Sequence, residues 1–321
     1  MATLTVAQAY ALRPISKGQR IWMNFKKHWR LHLMFAPACI YYILFEVFPL
    51  YGLQVAFREY RARDGIMGSA WMGITNFIEF FNYYEWKKIT INTLAISTYS
   101  ICAAFPTPII LALILHINEH KVLKKITQNI SYVPHFISTV VMVGLLTQIL
   151  NPISGLLGSV CRHFGIQFHT DLMAEESAFR HIYVWSGVWQ GMGWSTIMYV
   201  AALSGVSNEL HEAATIDGAS RLRRVFSVDI PAIMPVIVIR FIMRTAGIMS
   251  VGHEKVYLMQ NTLNMDKAEV ISTYVYKYGL ANNRSSYGSA VGLMNSVINS
   301  GMMILVNWIA NWLTDGEQGL F

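Results

Sequence analysis

Six stretches of this chain, about 32–57, 90–116, 128–150, 181–203, 233–252 and 288–312, are each about 20 residues or more of mostly apolar side chains. A helix of that length matches a hydrocarbon layer of roughly 30 Å. Inside such a layer no water can bond a free peptide group, so each span must satisfy its own backbone. The expected fold class is an all-α integral membrane protein with six spans. Composition agrees, with 54% hydrophobic and only 13% charged residues, about half the charge of an ordinary globular chain. Prolines are expected to bend several spans. Pro37 and Pro49 fall in the first, beside Glu46, Pro106 and Pro108 in the second, and Pro134 near the start of the third.

The formal net charge is +7. Much of it sits in residues 1–30, where Arg13, Lys17, Arg20, Lys26, Lys27 and Arg30 stand without an acid. A basic arm before a first span points to a cytoplasmic N-terminus, with the first span as an uncleaved insertion signal. It also removes the reason to invoke nucleic acid. Six spans would return the C-terminus to the same side. Of the 25 lysines and arginines, twelve then lie inside, eleven outside and two within the fifth span, so charge alone hardly orients the chain. Cys39, Cys102 and Cys161 follow no metal-ligand spacing and read as small buried hydrophobes. The ten histidines form no H-E-x-x-H pattern, and no metal site is inferred.

Between the fourth and fifth spans lies a polar segment, 212–231, reading EAATIDGASRLRRVFSVDIP. Ser207 or Asn208 can cap a helix whose first turns carry Glu209 and Glu212, where acids suit the positive end of the dipole. Gly218 can end that helix in the left-handed region. A second short helix, about 220–228, is expected to stop at Pro231. Ala213 and Ala214 leave the first helix with a nearly bare face, shaped to enter a groove on another protein. An ordinary amphipathic helix is the plainer alternative.

Glu212-Ala213-Ala214, then Gly218, then Val228-x-Ile230-Pro231 resembles the EAA loop of bacterial ABC importer permeases. Residues 131–160, 184–206 and 271–313 resemble that family's carbohydrate-uptake branch, most of all permeases of the alginate-importer kind. The resemblance covers about 90–312. It implies a type I, maltose-permease-like transmembrane domain over 31–316, a cytoplasmic arm 1–30, a coupling loop 204–232 and a tail 317–321. It further implies a bacterial cytoplasmic (inner) membrane location with both termini cytoplasmic. The partners it implies are a second homologous permease, two ATP-binding subunits, an extracytoplasmic sugar-binding protein, membrane lipid and an oligosaccharide substrate. The chain has no G-x-x-x-x-G-K-[ST] loop. It is therefore expected not to be an enzyme, with ATP and Mg held by the partner ATPases. Glu212, Ala213, Ala214, Asp217 and Gly218 are then the coupling candidates, with Glu212 facing an ATPase arginine or capping its own helix.

For the substrate path, Arg240 and Arg244 are four apart and share a helix face. Each costs about 2.5–3.5 kcal/mol to insert, so they must face protein or water. A positive wall suits a polyuronate, and a structural pair with Glu46 or a partner's acids would suit equally. Trp189 could stack on a sugar and Gln190 could bond its hydroxyls, or both could pack helices. Asn295 and Asn299 either join helices or face the path. The competing class is an ion-coupled secondary transporter or channel using Glu46, Arg240 and Arg244, which leaves 212–231 unexplained.

Overall fold

The computed structural model describes residues 17–313. The tail 317–321 and residues 1–16 of the basic arm, Arg13 included, lie outside the described residues. The chain divides into two units, 1–54 and 55–321.

In the first unit, α1 (Lys17–Lys27) gives way at His28 to α2 (Trp29–Tyr42). Pro37 lies inside α2. The helix then widens into a π turn at Ile43–Val47 and tightens to a 3-10 form over Phe48–Phe57. Pro49 lacks the N–H that a regular turn needs there. The bend expected of the first span is thus a change of hydrogen-bond register.

The second unit opens with a two-residue antiparallel ribbon, β1 (Arg58–Glu59) on β2 (Ala70–Trp71), a small departure from the all-α expectation. The helices that follow are α3 (Thr75–Asn82), α4 (Trp86–Ala104), α5 (Pro106–Ile117), α6 (Lys121–Tyr132), α7 (Thr139–Leu150), α8 (Leu156–His163) and α9 (Glu176–Leu203). Then come α10 (Asn208–Ile216), α11 (Ile230–Thr245), α12 (His253–Met259) and α13 (Ser285–Leu313).

Among the described residues, Trp29–Phe57, Trp86–Ile117, Arg221–Thr245 and Ser285–Trp312 are long and apolar enough to cross a membrane. The second of these breaks at Phe105, where Pro106 and Pro108 follow. The predicted third span is not one straight helix. Lys121–Phe136 and Thr139–Leu150 meet at 102°, because Pro134 ends one helix and the Ser138 hydroxyl, accepting from Val141 N, starts the next. The predicted fourth span lies in α9, which is 28 residues long, but its Trp, Gly, Ser, Gln and Tyr dilute its apolarity. Length and apolarity together therefore give four spans, or five with the bent pair, where the sequence suggested six. The fifth span is also shifted: α11 ends at Thr245, and residues 246–252 turn.

Helix α9 is the centre of the second unit. It packs on α4, α5, α6 and α11, so its polar residues meet protein. Its approach to α6 depends on Gly193. A Cβ there would sit 2.0 Å from the Ser131 carbonyl oxygen, closer than any pair of atoms tolerates. Further along, Ala112, Leu113, Tyr199, Leu203, Val225 and Ile233 close an apolar cluster among α5, α9 and the start of α11. Cys102 is exposed, contrary to expectation, and Cys39 and Cys161 are half-buried.

Candidate functional site

The polar segment folds through contacts made almost entirely within itself. The Ser207 hydroxyl accepts from Glu209 N and caps α10. At the other end Gly218 takes φ +77°, Gly218 N donates to Thr215 O (3.0 Å) and Ala219 N to Ala214 O (2.9 Å). That pair of bonds is a Schellman closure, which needs a residue tolerant of the left-handed region. The Ser220 hydroxyl then caps the single turn Arg221–Arg224 by accepting from Arg223 N.

The expectation that Pro231 stops this second helix does not hold. The chain passes through a π turn, Val225–Asp229, straight into α11, with Pro231 in its first turn. Proline is tolerated there because the first N–H groups of a helix have no partner in it anyway. Arg221–Thr245 is therefore one continuous 25-residue helical run.

Glu212, Ala213, Asp217 and Gly218 are exposed and Ala214 is half-buried. Nothing stands within 4 Å of a Cβ at Gly218, so the constraint at this glycine is its backbone angle and not a neighbouring wall. Leu210, Ile216, Leu222 and Phe226 are exposed as well, Ile216 at 87%. Four large apolar side chains on a polar loop were not singled out by the motif, yet their spacing was visible. Below the loop, Val225 joins the apolar cluster just described, and Asp229 is 2% exposed. His116 Nε2 and His211 Nε2 stand 3.5 and 3.2 Å from its Oδ1.

The arginine pair sits elsewhere. Arg240 and Arg244 both line a cavity of about 350 Å³ with Pro108, Met192, Ser195 and Tyr199. Arg244 also borders a second cavity of about 440 Å³, beside Ser97, Ser100 and Ser250. Neither arginine makes an ion pair within 4 Å among the described residues of the second unit, and no acid lines the first cavity.

The other path candidates separate from this pair. Trp189 lines an almost wholly apolar hollow with Leu146, Ile149 and Trp185. Gln190 Nε2 donates to Ile137 O at 2.8 Å, satisfying a carbonyl freed where the bent pair breaks. Asn299 ties α13 to the turn after α11, accepting from Met249 N (2.9 Å) and donating to the Ser250 hydroxyl (2.8 Å). The Asn295 carbonyl oxygen is buried without a hydrogen bond. Beyond the turn after α11, Lys255 on α12 donates to Tyr183 O (2.8 Å) and stands 4.7 Å over the Tyr183 ring. Burial pushes its pKa down to about 8.

Apolar helices around a cavity lined by arginines, with a capped helix standing free on the loop between two of them, define a membrane-embedded transport component. Residues 104–315 match the binding-protein-dependent transport system inner membrane component family, and the chain belongs to it. It is an inner membrane protein of the mostly helical, type I ABC importer permease fold. Among its relatives is the polygalacturonan/rhamnogalacturonan transport system permease protein YteP of Bacillus subtilis, 36% identical, covering 95% of this chain and 94% of the relative. Protein LplB of the same organism is 34% identical, covering 94% of each. Of solved structures, a chain of a bacterial alginate ABC transporter, crystallised with an alginate pentasaccharide-bound periplasmic protein, superposes with a TM-score of 0.85. It is 30% identical and covers 94% of this chain and 100% of that one.

Proposed function

We propose that this chain is one permease subunit of an ATP-driven importer that carries an acidic oligo- or polysaccharide across the cytoplasmic membrane. A second permease completes the path, two ATPases holding ATP and Mg drive it, and an extracytoplasmic binding protein delivers the sugar. The observation that carries the substrate class is the cavity lined by Arg240 and Arg244 with no acid in its wall. A guanidinium without a protein carboxylate is free to bond a carboxylate of the cargo, and Arg does so with two parallel N–H groups. Relatives handle polygalacturonan or rhamnogalacturonan and alginate, an acidic polysaccharide, which favours the same class here.

Energy enters through α10. In the proposed cycle its exposed face, with Glu212, Ala213, Leu210 and Ile216, docks on an ATPase on the cytoplasmic side. Nucleotide closes the ATPases and displaces α10. The run Arg221–Thr245 is continuous from the end of that loop into the arginine cavity, so the displacement reaches the substrate site through one unbroken helical run. The bundle then needs two arrangements separated by a few kcal/mol, biased by nucleotide and by loaded binding protein.

Reconstitution of the complex tests this reading. ATPase activity should rise with the binding protein loaded with acidic oligosaccharides and not with neutral ones. Arg240→Gln together with Arg244→Gln should cut transport of the acidic sugar by about 10–100-fold, the worth of one or two charged hydrogen bonds. Equal transport by the double variant and the parent would remove the arginines from the path.

A further inference from the structure

We propose that His116, His211 and Asp229 form a binding site for one borderline divalent transition metal ion, of which Zn²⁺ is the representative. The three residues come from the last turn of α5, the middle of α10 and the end of the π turn that leads into α11. No sequence spacing connects them. The fold brings one ligand atom of each within 4.8 Å of the others.

The geometry is that of a coordination site more than of a hydrogen-bonded triad. Both imidazoles turn Nε2 toward the same carboxylate oxygen, at 3.5 Å for His116 and 3.2 Å for His211. Yet neither His211 Nε2 nor Asp229 Oδ1 has a hydrogen-bond partner. The approach is close, but the direction of an N–H···O bond is missing. Ligand atoms that share a metal behave in this way, because each lone pair points at the ion and not at its neighbour. With metal–nitrogen bonds of about 2.0–2.1 Å and metal–oxygen bonds of about 2.0–2.2 Å, two tetrahedral ligand atoms stand roughly 3.4 Å apart. The two His–Asp separations lie on either side of that figure, and the remaining separation, between the imidazoles, is within 4.8 Å.

Burial adds a second reason. The Asp229 side chain is 2% exposed and its Oδ1 accepts no hydrogen bond; a buried carboxylate oxygen left so is unfavourable. A cation between the three groups removes that cost. Two imidazoles and one carboxylate suit Zn²⁺ and its neighbours, and hard cations such as Mg²⁺ prefer oxygen. Three protein ligands leave a position for water, and a cavity of about 260 Å³ adjoins the cluster to hold it. Two arginines line that cavity. Arg221 is neutralised by Glu119 at 3.0 Å, and Arg224 Nη1 is directed to the Thr215 hydroxyl at 2.9 Å. Neither guanidinium forms an ion pair with Asp229 within 4 Å.

A bound ion would fasten α10 to the ends of α5 and α11, making the loop and the bundle one body. That consequence rests on the docking role proposed for α10, whereas the metal site does not. Metal uptake is read without nucleotide or sugar, so the two readings fail separately.

The experiment uses the full transporter complex, purified through a tag that lacks histidine, stripped with a chelator and dialysed against Zn²⁺ or Co²⁺. Parent and His211→Gln complexes are compared by elemental analysis, so that metal bound by partner subunits cancels. The parent should retain about one more equivalent per chain than the variant, whose affinity should be at least ~100-fold weaker. With Co²⁺, the parent should show the intense visible bands of a tetrahedral nitrogen–oxygen site. Equal metal content in parent and variant overturns the proposal. His116→Gln serves the same comparison if His211→Gln does not assemble. Absence of the Co²⁺ bands in the parent alone overturns the proposal whatever the variants do.

Discussion

The loop that carries α10 and the cavity that holds Arg240 and Arg244 are built in opposite ways. The bonds that cap the loop's two helical pieces span only a few residues: Ser207 to Glu209, Thr215 to Gly218, Ser220 to Arg223. The cavity is walled by α4, α5, α9 and α11, whose residues lie up to 140 positions apart, from Ala104 to Arg244. A loop of the first kind can keep its shape while it moves as a unit. A wall of the second kind changes whenever one helix shifts against another. That division suits a machine in which one part is gripped and the other opens. Substitutions in the bundle should therefore act on stability, and substitutions in the loop should act on coupling with the bundle intact.

The largest expected effect is at Gly193. Its Cα faces the Ser131 backbone, and a Cβ would overlap both the carbonyl oxygen at 2.0 Å and its carbon at 2.4 Å. A backbone carbonyl cannot swing aside as a flexible side chain can. Gly193→Val should cost at or above about 3 kcal/mol, the top of the overpacking range. The outcome is read as loss of the monodisperse complex in detergent. A normal yield and unfolding midpoint would mean that α6 and α9 slide freely, and the contrast with the loop would fail on its bundle side.

A smaller effect is expected from pH at Lys255. Its pKa is about 8 in the folded chain against 10.5 for a free lysine. A lowered lysine pKa means that the folded state sheds its proton first. Between about pH 8 and pH 10.5 the unfolded chain binds more protons, so stability rises with pH in that window. Below about pH 8 the ammonium is charged in both states and its burial weighs against folding in full. The gain across the window is about 3 kcal/mol. Thermal denaturation of the parent from pH 7 to pH 10 should show an upward component that Lys255→Met lacks. Identical pH profiles would place the amine in water.

At Gly218 the effect should move from stability to coupling. With φ at +77°, an ordinary L residue costs about 1–2 kcal/mol, and a β-branched one more. Gly218→Val should insert and assemble, because nothing lies within 4 Å of the new Cβ. It should nonetheless lose ATPase stimulation by the loaded binding protein, since α10 would no longer end where it does. Gly218→Asn, which tolerates the left-handed region, should retain most of the stimulation. Equal coupling in both variants would detach the turn from energy transfer.

The same contrast explains what could be read before the fold was known. Ser207 and Gly218 announce a cap and a left-handed turn through residue type alone, because their partners are two to five positions away, and the Ser220 cap, equally local, went unread. The arginines could be placed on one face of one helix, but not the cavity they would meet. Gln190 and Asn299 show the limit more sharply. A polar side chain on an apolar helix signals a partner without saying which. Ile137 O and the Met249–Ser250 turn appear only once the bent pair and α13 are in place. His116, His211 and Asp229 were illegible for the same reason, since 95 and 18 residues separate them. Helix α9 marks a limit of composition. Packed against α4, α5, α6 and α11, it carries residues too polar for a lipid-facing span and falls outside the count that length and apolarity give.

The smallest expected effect, at Arg221, isolates the loop's independence. Arg221 pairs with Glu119 at 3.0 Å, linking the turn after α10 to the segment after α5, and the two side chains are 64% and 75% exposed. Water screens such a pair, and holding two long side chains in one geometry costs entropy. Arg221→Ala should therefore change the unfolding midpoint by no more than about 0.5 kcal/mol of stability. That small change should vanish as salt is raised well above the physiological level, where the screening length falls from about 8 Å toward 3 Å. The loop would then keep its shape through its own caps and through Val225 and Asp229 beneath it. A loss above about 1 kcal/mol that persists in high salt would instead make this surface contact a principal tie. The loop could then no longer be described as held from within, and the division between a gripped part and an opening part would have to be redrawn around Glu119.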